Sequence, residues 1–171
     1  MISLNTRLIG LIGDPLNHSL ASKMHNTVIK ELKLDFLYIP IEVKEKNLGK
    51  IIAAIRCMNF VGFNVTKPYK VKIIEYLDEL DQLAKVTGAV NTVVKKGNRL
   101  IGYNTDGDGF VKGLIDLQSV DKNSRVFIFG AGGASRAISF SLVKYDVKKI
   151  YVTDKMNELS NKLVNDLNEF E

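Results

Sequence analysis

Residues 127–137 read Phe-Ile-Phe-Gly-Ala-Gly-Gly-Ala-Ser-Arg-Ala, and this stretch decides the fold of its part of the chain. The apolar run from Val126 to Phe129 predicts a strand, and the glycines after it predict a tight turn. A helical pattern then extends from Ala134 to Tyr145. A strand, a glycine turn and a helix in this order are typical of a unit that binds a dinucleotide, because glycine lets the backbone approach a pyrophosphate and the helix N-terminus attracts its charge.

The glycine turn matches the dinucleotide fingerprint in part. Gly130 and Gly132 fit the opening of G-x-G-x-x-G, while Ser135 stands in place of the third glycine. Asp154 follows the next predicted strand about 20 residues further on, where a carboxylate would bind a ribose 2′-hydroxyl. It is equally well interpreted as a cap of the last helix. We expect the pyrophosphate to lie on Gly130, Ala131, Gly132, Gly133 and Ala134.

Strand and helix patterns alternate along the whole chain, which predicts an α/β fold with largely parallel strands. A polar stretch without periodicity, residues 118–124, is the best linker. We therefore predict an N-terminal α/β substrate domain over 1–118 and the first half of a Rossmann-like dinucleotide-binding domain over 119–171. Within the first domain, a helix is expected to begin near Pro68 and to continue from Tyr69 through Leu83, and a hairpin is expected at residues 90–103.

The composition excludes several classes of protein. Hydrophobic residues make up 46% and charged residues 25% of the chain, and the net charge of +5 is scattered over lysines without a block of like charge. This pattern does not favour a nucleic-acid surface, a membrane span or a metal site. The single cysteine, Cys57, lies in an apolar helical stretch, where we expect buried packing. A lone cysteine and the lack of a leader pattern favour the cytoplasm.

Polar residues gather where several predicted strands end, which is where open α/β sheets place their ligands. A lysine such as Lys70 could shuttle a proton while an aspartate of residues 104–109 orients it or keeps it charged. Hydroxyl and amide groups of Thr66, Asn91 and Thr105 would suit a polyhydroxylated substrate. Taken one at a time, each of these residues is also an ordinary turn former, helix cap or exposed helix residue.

Ser19 precedes the first predicted helix and has two compatible interpretations. Its hydroxyl can cap the helix, which is worth about 1 kcal/mol. The same hydroxyl and the helix N-terminus can also receive a substrate carboxylate.

These stretches, in their order along the chain, resemble the five motifs of the shikimate dehydrogenase family. The resemblance covers nearly the whole sequence, and five ordered motifs are far more specific than one. The matching segments are Gly-Leu-Ile-Gly-Asp-Pro-Leu-Asn-His-Ser at 10–19, Asn-Val-Thr-Lys-Pro-Tyr-Lys at 64–70, Gly-Ala-Val-Asn-Thr at 88–92, Gly-Tyr-Asn-Thr-Asp-Gly at 102–107 and Gly-Ala-Gly-Gly-Ala-Ser-Arg at 130–136.

The resemblance implies reversible reduction of 3-dehydroshikimate to shikimate with NADPH or NADH, in the chorismate pathway to aromatic amino acids. By motif, Lys70 would handle the proton at the reacting oxygen, and Asp106 would pair with it and bind substrate hydroxyls. Asn91 and Thr66 would hold the ring hydroxyls, and Ser19 the carboxylate. The implied partner is a small molecule, without nucleic acid or membrane; a homodimer is possible.

The sequence departs from the family pattern at two positions. Ala21 replaces a second serine, which removes one hydroxyl donor to the substrate carboxylate unless Ser22 in the first helical turn takes its place. Asp154 and Lys155 stand where NADP-using members carry an Asn-Arg-Thr-like sequence. The carboxylate of Asp154 would repel a 2′-phosphate and favour NAD, as in the quinate/shikimate branch, whereas Lys155 could receive the phosphate without the bidentate geometry of arginine.

Family members are considerably longer than this chain, which leaves three hypotheses. The chain is a C-terminally shortened shikimate dehydrogenase, an NAD-dependent quinate/shikimate dehydrogenase, or a shortened fragment that binds substrate without hydride transfer. We expect the first, and expect a chain of this length to be limited in what it can do alone.

Overall fold

The computed structural model describes residues 2–170 and divides into two compact units. The first unit is formed by the chain up to Asp81 together with Val90–Tyr103, and the second by Gln82–Ala89 together with the chain from Asn104 onward. Strands and helices alternate in both, which confirms the predicted α/β class.

The first unit consists of a six-stranded sheet, two α-helices and two short 3-10 helices within residues 2–170. In chain order the elements are β1 (Arg7–Gly13), α1 (Ala21–Glu31), β2 (Phe36–Glu42), a 3-10 helix (Glu45–Asn47), α2 (Leu48–Cys57), β3 (Phe60–Val65), a 3-10 helix (Lys72–Tyr76), β4 (Glu79–Leu80), β5 (Thr92–Lys96) and β6 (Arg99–Tyr103).

The strand order of this sheet is β2-β1-β3-β5-β6-β4. β1 pairs in parallel with β2 and β3, whereas β5 pairs antiparallel with β3 and β6. β4 also pairs in parallel with β6, so that three of the five pairings are parallel. The sheet is therefore mixed but mainly parallel, in agreement with the prediction. The predicted hairpin is confirmed: Lys96 pairs with Arg99, and Gly97 between them has the positive φ of 59° that its turn requires.

The helix predicted from Tyr69 through Leu83 is wrong. A 3-10 helix ends at Tyr76, and the chain then turns extended to add β4 to the sheet beside β6. The N–H groups of Asp78 and Asp81 donate to carbonyl oxygens of β6 at 3.0 and 2.9 Å. Pairing with a strand about 20 residues later along the chain outweighs the local helical pattern, and a local pattern cannot show it.

One face of α2 is buried. Leu48, Ile52 and Ile55 of this helix are buried at helical spacing, each worth about 1.5–3 kcal/mol of transfer free energy. Cys57 lies off this face at the helix end and is exposed, so the prediction that it is buried is wrong.

The second unit repeats the order strand, helix, strand, helix. Its elements are α3 (Gln82–Thr87), α4 (Asp106–Asp116), β7 (Arg125–Phe129), α5 (Gly133–Lys144), β8 (Lys149–Thr153) and α6 (Asn157–Asn168). β7 and β8 pair in parallel and are connected through α5. This arrangement confirms the predicted first half of a Rossmann-like domain. Leu83, Ala131, Phe140 and Leu163 form a buried cluster among its helices.

α4 belongs to the second unit, because its first turn packs closely against α5. A Cβ atom at Gly107 would meet the carbonyl oxygen of Ala137 and lie 2.6 Å from Ser141 Oγ. The domain boundary predicted from sequence, between residues 118 and 119, places α4 in the first domain. In the structure the second compact unit already includes the chain from Asn104, and therefore α4.

None of the helices in residues 2–170 is long and apolar enough to cross a membrane.

Candidate active site

Three of the predicted site residues are brought together in the first unit. The segment from Thr66 to Lys70 is a turn that follows β3, and its fold is fixed by a bond from Tyr69 N–H to the carbonyl of Thr66 at 3.0 Å. The carbonyl of Lys70 accepts from Val90 N–H at 2.8 Å. The carbonyl of Asn91 accepts from the N–H of the last residue of β3, also at 2.8 Å. Residues 20 and 26 positions apart in sequence are thus joined by backbone bonds.

A glycine at the end of β1 makes room for Thr66. A Cβ atom at Gly13 would lie 2.5 Å from Thr66 Cγ2 and 2.7 Å from Leu16 Cδ2. Side-chain atoms cannot approach this closely, so glycine at this position lets the loop after β1 and the turn after β3 pack against each other. A bond from Asp14 N–H to the carbonyl of Lys67 at 3.2 Å joins the same two segments.

Ser19 lies in the loop after β1 and is exposed. Its Oγ accepts from the N–H of Ala21 at 3.3 Å, where α1 begins, and the residue that flanks the helix is Leu20. Ser19 is therefore one residue before the N-cap position, and its hydroxyl oxygen accepts a hydrogen bond from the first N–H of the helix. The carboxylate of Glu42 also holds this loop, because it accepts from Leu16 N–H at 2.7 Å.

Thr105 and Asp106 belong to the second unit, at the N-terminus of α4. Both are exposed. The residue before them, Asn104, is 5% exposed and was not singled out from the sequence. Its Nδ2 donates to Thr87 Oγ1 and to the carbonyl of Ala89, each at 3.1 Å, and its Oδ1 accepts from Asp106 N–H at 3.1 Å. The buried amide thus fixes the backbone from which Asp106 projects.

The glycine turn has the geometry predicted for a phosphate-binding loop. Gly130 has a φ of 101°, which only glycine adopts readily, and its N–H donates to the carbonyl of Thr153 at 2.6 Å. α5 begins directly after Gly132, which has no side-chain cap. Gly132, Gly133 and Ala134 are exposed, so the first N–H groups of a 12-residue helix face solvent on a small-residue turn.

Asp154 binds the turn itself. Its Oδ2 accepts from Ala131 N–H at 2.7 Å, and its Oδ1 accepts from Met156 N–H at 2.9 Å. These bonds, first that from Met156 and then that from Ala131, lower the pKa of the Asp154 carboxyl below its usual value. The cap position of α6 is Met156, so the aspartate is not a helix cap but connects the two strand ends.

An open groove lies beside this carboxylate. It is lined by Phe129, Gly130, Thr153, Asp154 and Lys155. Lys155 is exposed at its edge. All five predicted turn residues, together with Asp154 and Lys155, are therefore parts of one region of the second unit.

Arg136, which sequence reasoning also missed, anchors this region. Its Nε and Nη2 donate to the carbonyl of Val86 at 3.2 and 2.9 Å, and Nη2 also pairs with Asp166 at 2.7 Å. The guanidinium lies 5.5 Å from the centre of the Phe140 ring. One side chain thus ties α5 to α3 and α6.

No group of three or more His, Cys, Asp or Glu side chains that could hold a metal ion is found among residues 2–170.

Comparison with known proteins identifies the family. Residues 11–93 match the family model described as the shikimate dehydrogenase substrate binding domain. The chain is 48% identical to a shikimate dehydrogenase (NADP(+)) of Bacillus anthracis over 92% of its own length. The chain belongs to the shikimate dehydrogenase family. This confirms the resemblance read from the five motifs.

Solved structures of similar proteins contain the same fold. Shikimate 5-dehydrogenase of Listeria monocytogenes, in complex with shikimate and NAD, superimposes with a TM-score of 0.89 and 37% identity over 98% of this chain. The ligand-free 5-ketofructose reductase of a Gluconobacter strain superimposes with a TM-score of 0.89 and 30% identity over 98% of this chain. This chain spans 57% of the length of the Bacillus protein, 59% of the Listeria chain and 60% of the Gluconobacter chain.

Proposed function

We propose that this protein catalyses the reversible NAD(P)-dependent reduction of 3-dehydroshikimate to shikimate. The observation that carries the proposal is the gathering of Thr66, Lys70 and Asn91 at the strand ends of the unit that contains the match to the substrate binding domain. The second unit supplies a helix N-terminus on a glycine turn, which is the geometry that a pyrophosphate requires. The step would serve the chorismate pathway.

Each side chain has a role that its chemistry supports. The ammonium of Lys70 donates a proton to the ketone oxygen during reduction and takes it back in the reverse direction. Thr66 and Asn91 offer a hydroxyl and an amide to the ring hydroxyls, and Ser19 offers a hydroxyl to the carboxylate. In the second unit, Asp106 offers a carboxylate to a substrate hydroxyl, and Thr105 offers a further hydroxyl.

The glycine turn fits a nicotinamide dinucleotide. Ala131 N–H is taken by Asp154, so the pyrophosphate would be received by the N–H groups of Gly132, Gly133 and Ala134 at the start of α5. When bound, the cofactor supplies or accepts the hydride. The protein's contribution is to orient the substrate and to manage the charge that forms on its oxygen.

Substitution of Lys70 tests the proposed chemistry. Lys70→Ala should lower kcat for shikimate oxidation by about a hundredfold or more, because positioned acid–base catalysis contributes about 10²–10⁴-fold. The assay follows formation of the reduced nicotinamide. Lys72→Ala is the control, since it removes a nearby lysine that pairs with Glu45 at the surface. Equal turnover in the two variants would contradict the role of Lys70.

The choice between NAD and NADP rests on Asp154 and Lys155. The ionised carboxylate beside the groove would repel a 2′-phosphate, which favours NAD, whereas the Bacillus relative is named for NADP(+). We propose NAD as the preferred cofactor. Asp154→Asn should raise kcat/KM for NADP relative to NAD, and a wild-type preference for NADP would refute the proposal. Running the same assay with quinate decides between the shikimate and quinate/shikimate alternatives.

A fragment that binds substrate without hydride transfer is the rival from another class. The enzyme names of relatives at 48% identity favour the dehydrogenase. Calorimetry with shikimate and with each cofactor, run beside the turnover assay on the 171-residue chain, separates the two. Binding without turnover would support the fragment.

We also propose that the chain forms a homodimer through α1. The helix and the two residues that flank it carry four exposed apolar side chains spaced four residues apart: Leu20, Met24, Val28 and Leu32. A symmetric pair would bury the same stripe on both copies. Sedimentation velocity should show a dimer for the wild type and a monomer for Met24→Lys; a monomeric wild type would refute it. The cytoplasmic location stays a prediction.

A further inference from the structure

The first unit contains a polar network on buried strand residues that none of the assigned roles uses. Tyr38 lies on β2 and is 1% exposed. Its hydroxyl donates to Asn64 Oδ1 at 2.9 Å, across the intervening strand β1. Asn64 Nδ2 in turn donates to the carbonyl of Asn91 at 3.3 Å and to Thr92 Oγ1 at 3.1 Å. The chain of bonds therefore connects β2, β3 and the start of β5.

Tyr38 is held firmly enough to act as a fixed donor. Asn26 on α1 binds both backbone groups of Tyr38, with distances of 2.8 and 3.0 Å. The ring of His25 stacks on the tyrosine ring with 4.3 Å between their centres. Burial raises the pKa of Tyr38 to about 12, so the hydroxyl keeps its proton at physiological pH.

The orientation of the Asn64 amide follows from these partners. The hydroxyl of Tyr38 donates to the oxygen, and the NH₂ group is then directed at Asn91 and Thr92. Asn91 also receives Val65 N–H on the same carbonyl oxygen. Two donors on one carbonyl fix the backbone of the residue that we assign to the ring hydroxyls of the substrate.

We propose that Tyr38 and Asn64 are positioning residues, which hold Asn91 in the place where it binds substrate without touching the substrate themselves. This inference rests on the proposed function for its consequence, the affinity for shikimate. Its structural part, the restraint on Asn91, stands on the bonds alone.

Tyr38→Phe tests the inference, with Tyr69→Phe as the matched control. Tyr69 is a second buried tyrosine of the same unit, 2% exposed, whose hydroxyl donates to the carbonyl of Val43 at 2.6 Å. Both variants lose one hydroxyl and one hydrogen bond, and both should lower Tm. Only Tyr38→Phe should weaken shikimate binding, by about twofold to tenfold, the range given by one neutral hydrogen bond.

A double-mutant cycle separates positioning from general destabilisation. In an Asn64→Ala background, Tyr38→Phe should no longer change the dissociation constant for shikimate, because the link to Asn91 is already broken. Equal weakening of binding in both backgrounds, or by Tyr69→Phe as well, would overturn the inference.

Nuclear magnetic resonance of the ligand-free chain tests the structural part. Tyr38→Phe should shift the amide signals of Asn91 and Thr92 and speed hydrogen exchange at Val65 N–H, while Tyr69→Phe leaves them unchanged. Unaltered signals in Tyr38→Phe would overturn the inference. A wild-type chain that does not bind shikimate would refute the proposed function, and the resonance comparison would still decide whether Tyr38 holds Asn91.

Discussion

Gly107→Ala should destabilise the second unit, because this glycine is where α4 and α5 meet. A Cβ atom there would lie 2.5 Å from the carbonyl carbon of Ala137 and 2.6 Å from Ser141 Oγ. Heavy atoms of this kind pack at about 3.5 Å or more, so the helices would have to separate by about 1 Å. The obstacle on the α5 side is mainly backbone, which cannot rotate away as a side-chain end could.

The expected cost follows from the energetics of overpacking. Inserting a methyl group into a closely packed contact costs about 1–3 kcal/mol. Alanine has a better helix propensity than glycine, but Gly107 lies in the first turn of α4, where only part of that gain of about 1 kcal/mol applies. A net loss of stability therefore remains. If about half of that gain applies, the net loss is about 0.5–2.5 kcal/mol. In a chain of this size each kcal/mol shifts Tm by about 2–4 °C, so we expect a fall of about 1–10 °C.

Gly113→Ala is the matched control on the same helix. Its added Cβ would meet no atom within 4 Å, so the substitution should stabilise by about 0.5–1 kcal/mol through helix propensity. Thermal and urea unfolding, followed by circular dichroism, should thus show changes of opposite sign for the two variants. Equal Tm values for Gly107→Ala and Gly113→Ala would refute the packing argument.

Three further predictions follow from single contacts, each measured by urea unfolding. The pKa of Asp78 is lowered by its hydrogen bond with Arg56. The ionised carboxylate therefore stabilises the fold above about pH 4, and this stabilisation is lost as the pH falls through the lowered pKa of the folded state. Asp78→Asn should flatten the dependence of the unfolding free energy on pH, and an unchanged pH profile would contradict this role of Asp78. Arg136→Lys should lower the free energy of unfolding by about 1–2 kcal/mol, because lysine cannot donate two N–H groups from one planar group to the Val86 carbonyl. An unchanged free energy of unfolding would show that this bidentate contact is dispensable. Leu163→Ala should cost about 2–5 kcal/mol, since Leu163 is 0% exposed, and a loss below about 1 kcal/mol would indicate that the cluster collapses around the gap.

The glycine turn and the hairpin could be predicted from sequence because their signals are local. Gly130 adopts a positive φ. A strand followed directly by glycine and a helix indicates such a turn, and these signals lie within a few residues of each other. Lys96 and Arg99 flank a two-residue turn, so that the pairing follows from the turn chemistry. At such places the residues that determine the structure are neighbours in the chain.

The failures have the opposite character. β4 forms because the N–H groups of Asp78 and Asp81 find partners on β6, and no pattern within residues 69–83 contains that information. Gly107 places α4 against α5, yet in sequence it is one more glycine of a turn-like stretch. For Asp154 the two interpretations weighed were a ribose ligand and a helix cap. The structure shows a third role, a bond to Ala131 N–H, which depends on the pairing of β7 with β8.

Two asparagines show how a motif can serve fold and ligand at once. Asn64 lies two residues before Thr66, and Asn104 lies two residues before Asp106. In each case the asparagine amide binds segments from elsewhere in its own unit: the start of β5 for the first, and the end of α3 with the carbonyl of Ala89 for the second. The residue assigned to substrate then projects from a backbone that the asparagine has already fixed. An amide suits this task because it carries donors and an acceptor on one short, rigid group. Substitution of either asparagine should therefore lower the affinity for substrate through the neighbouring residue, so that a loss of activity on its own would not identify a ligand contact.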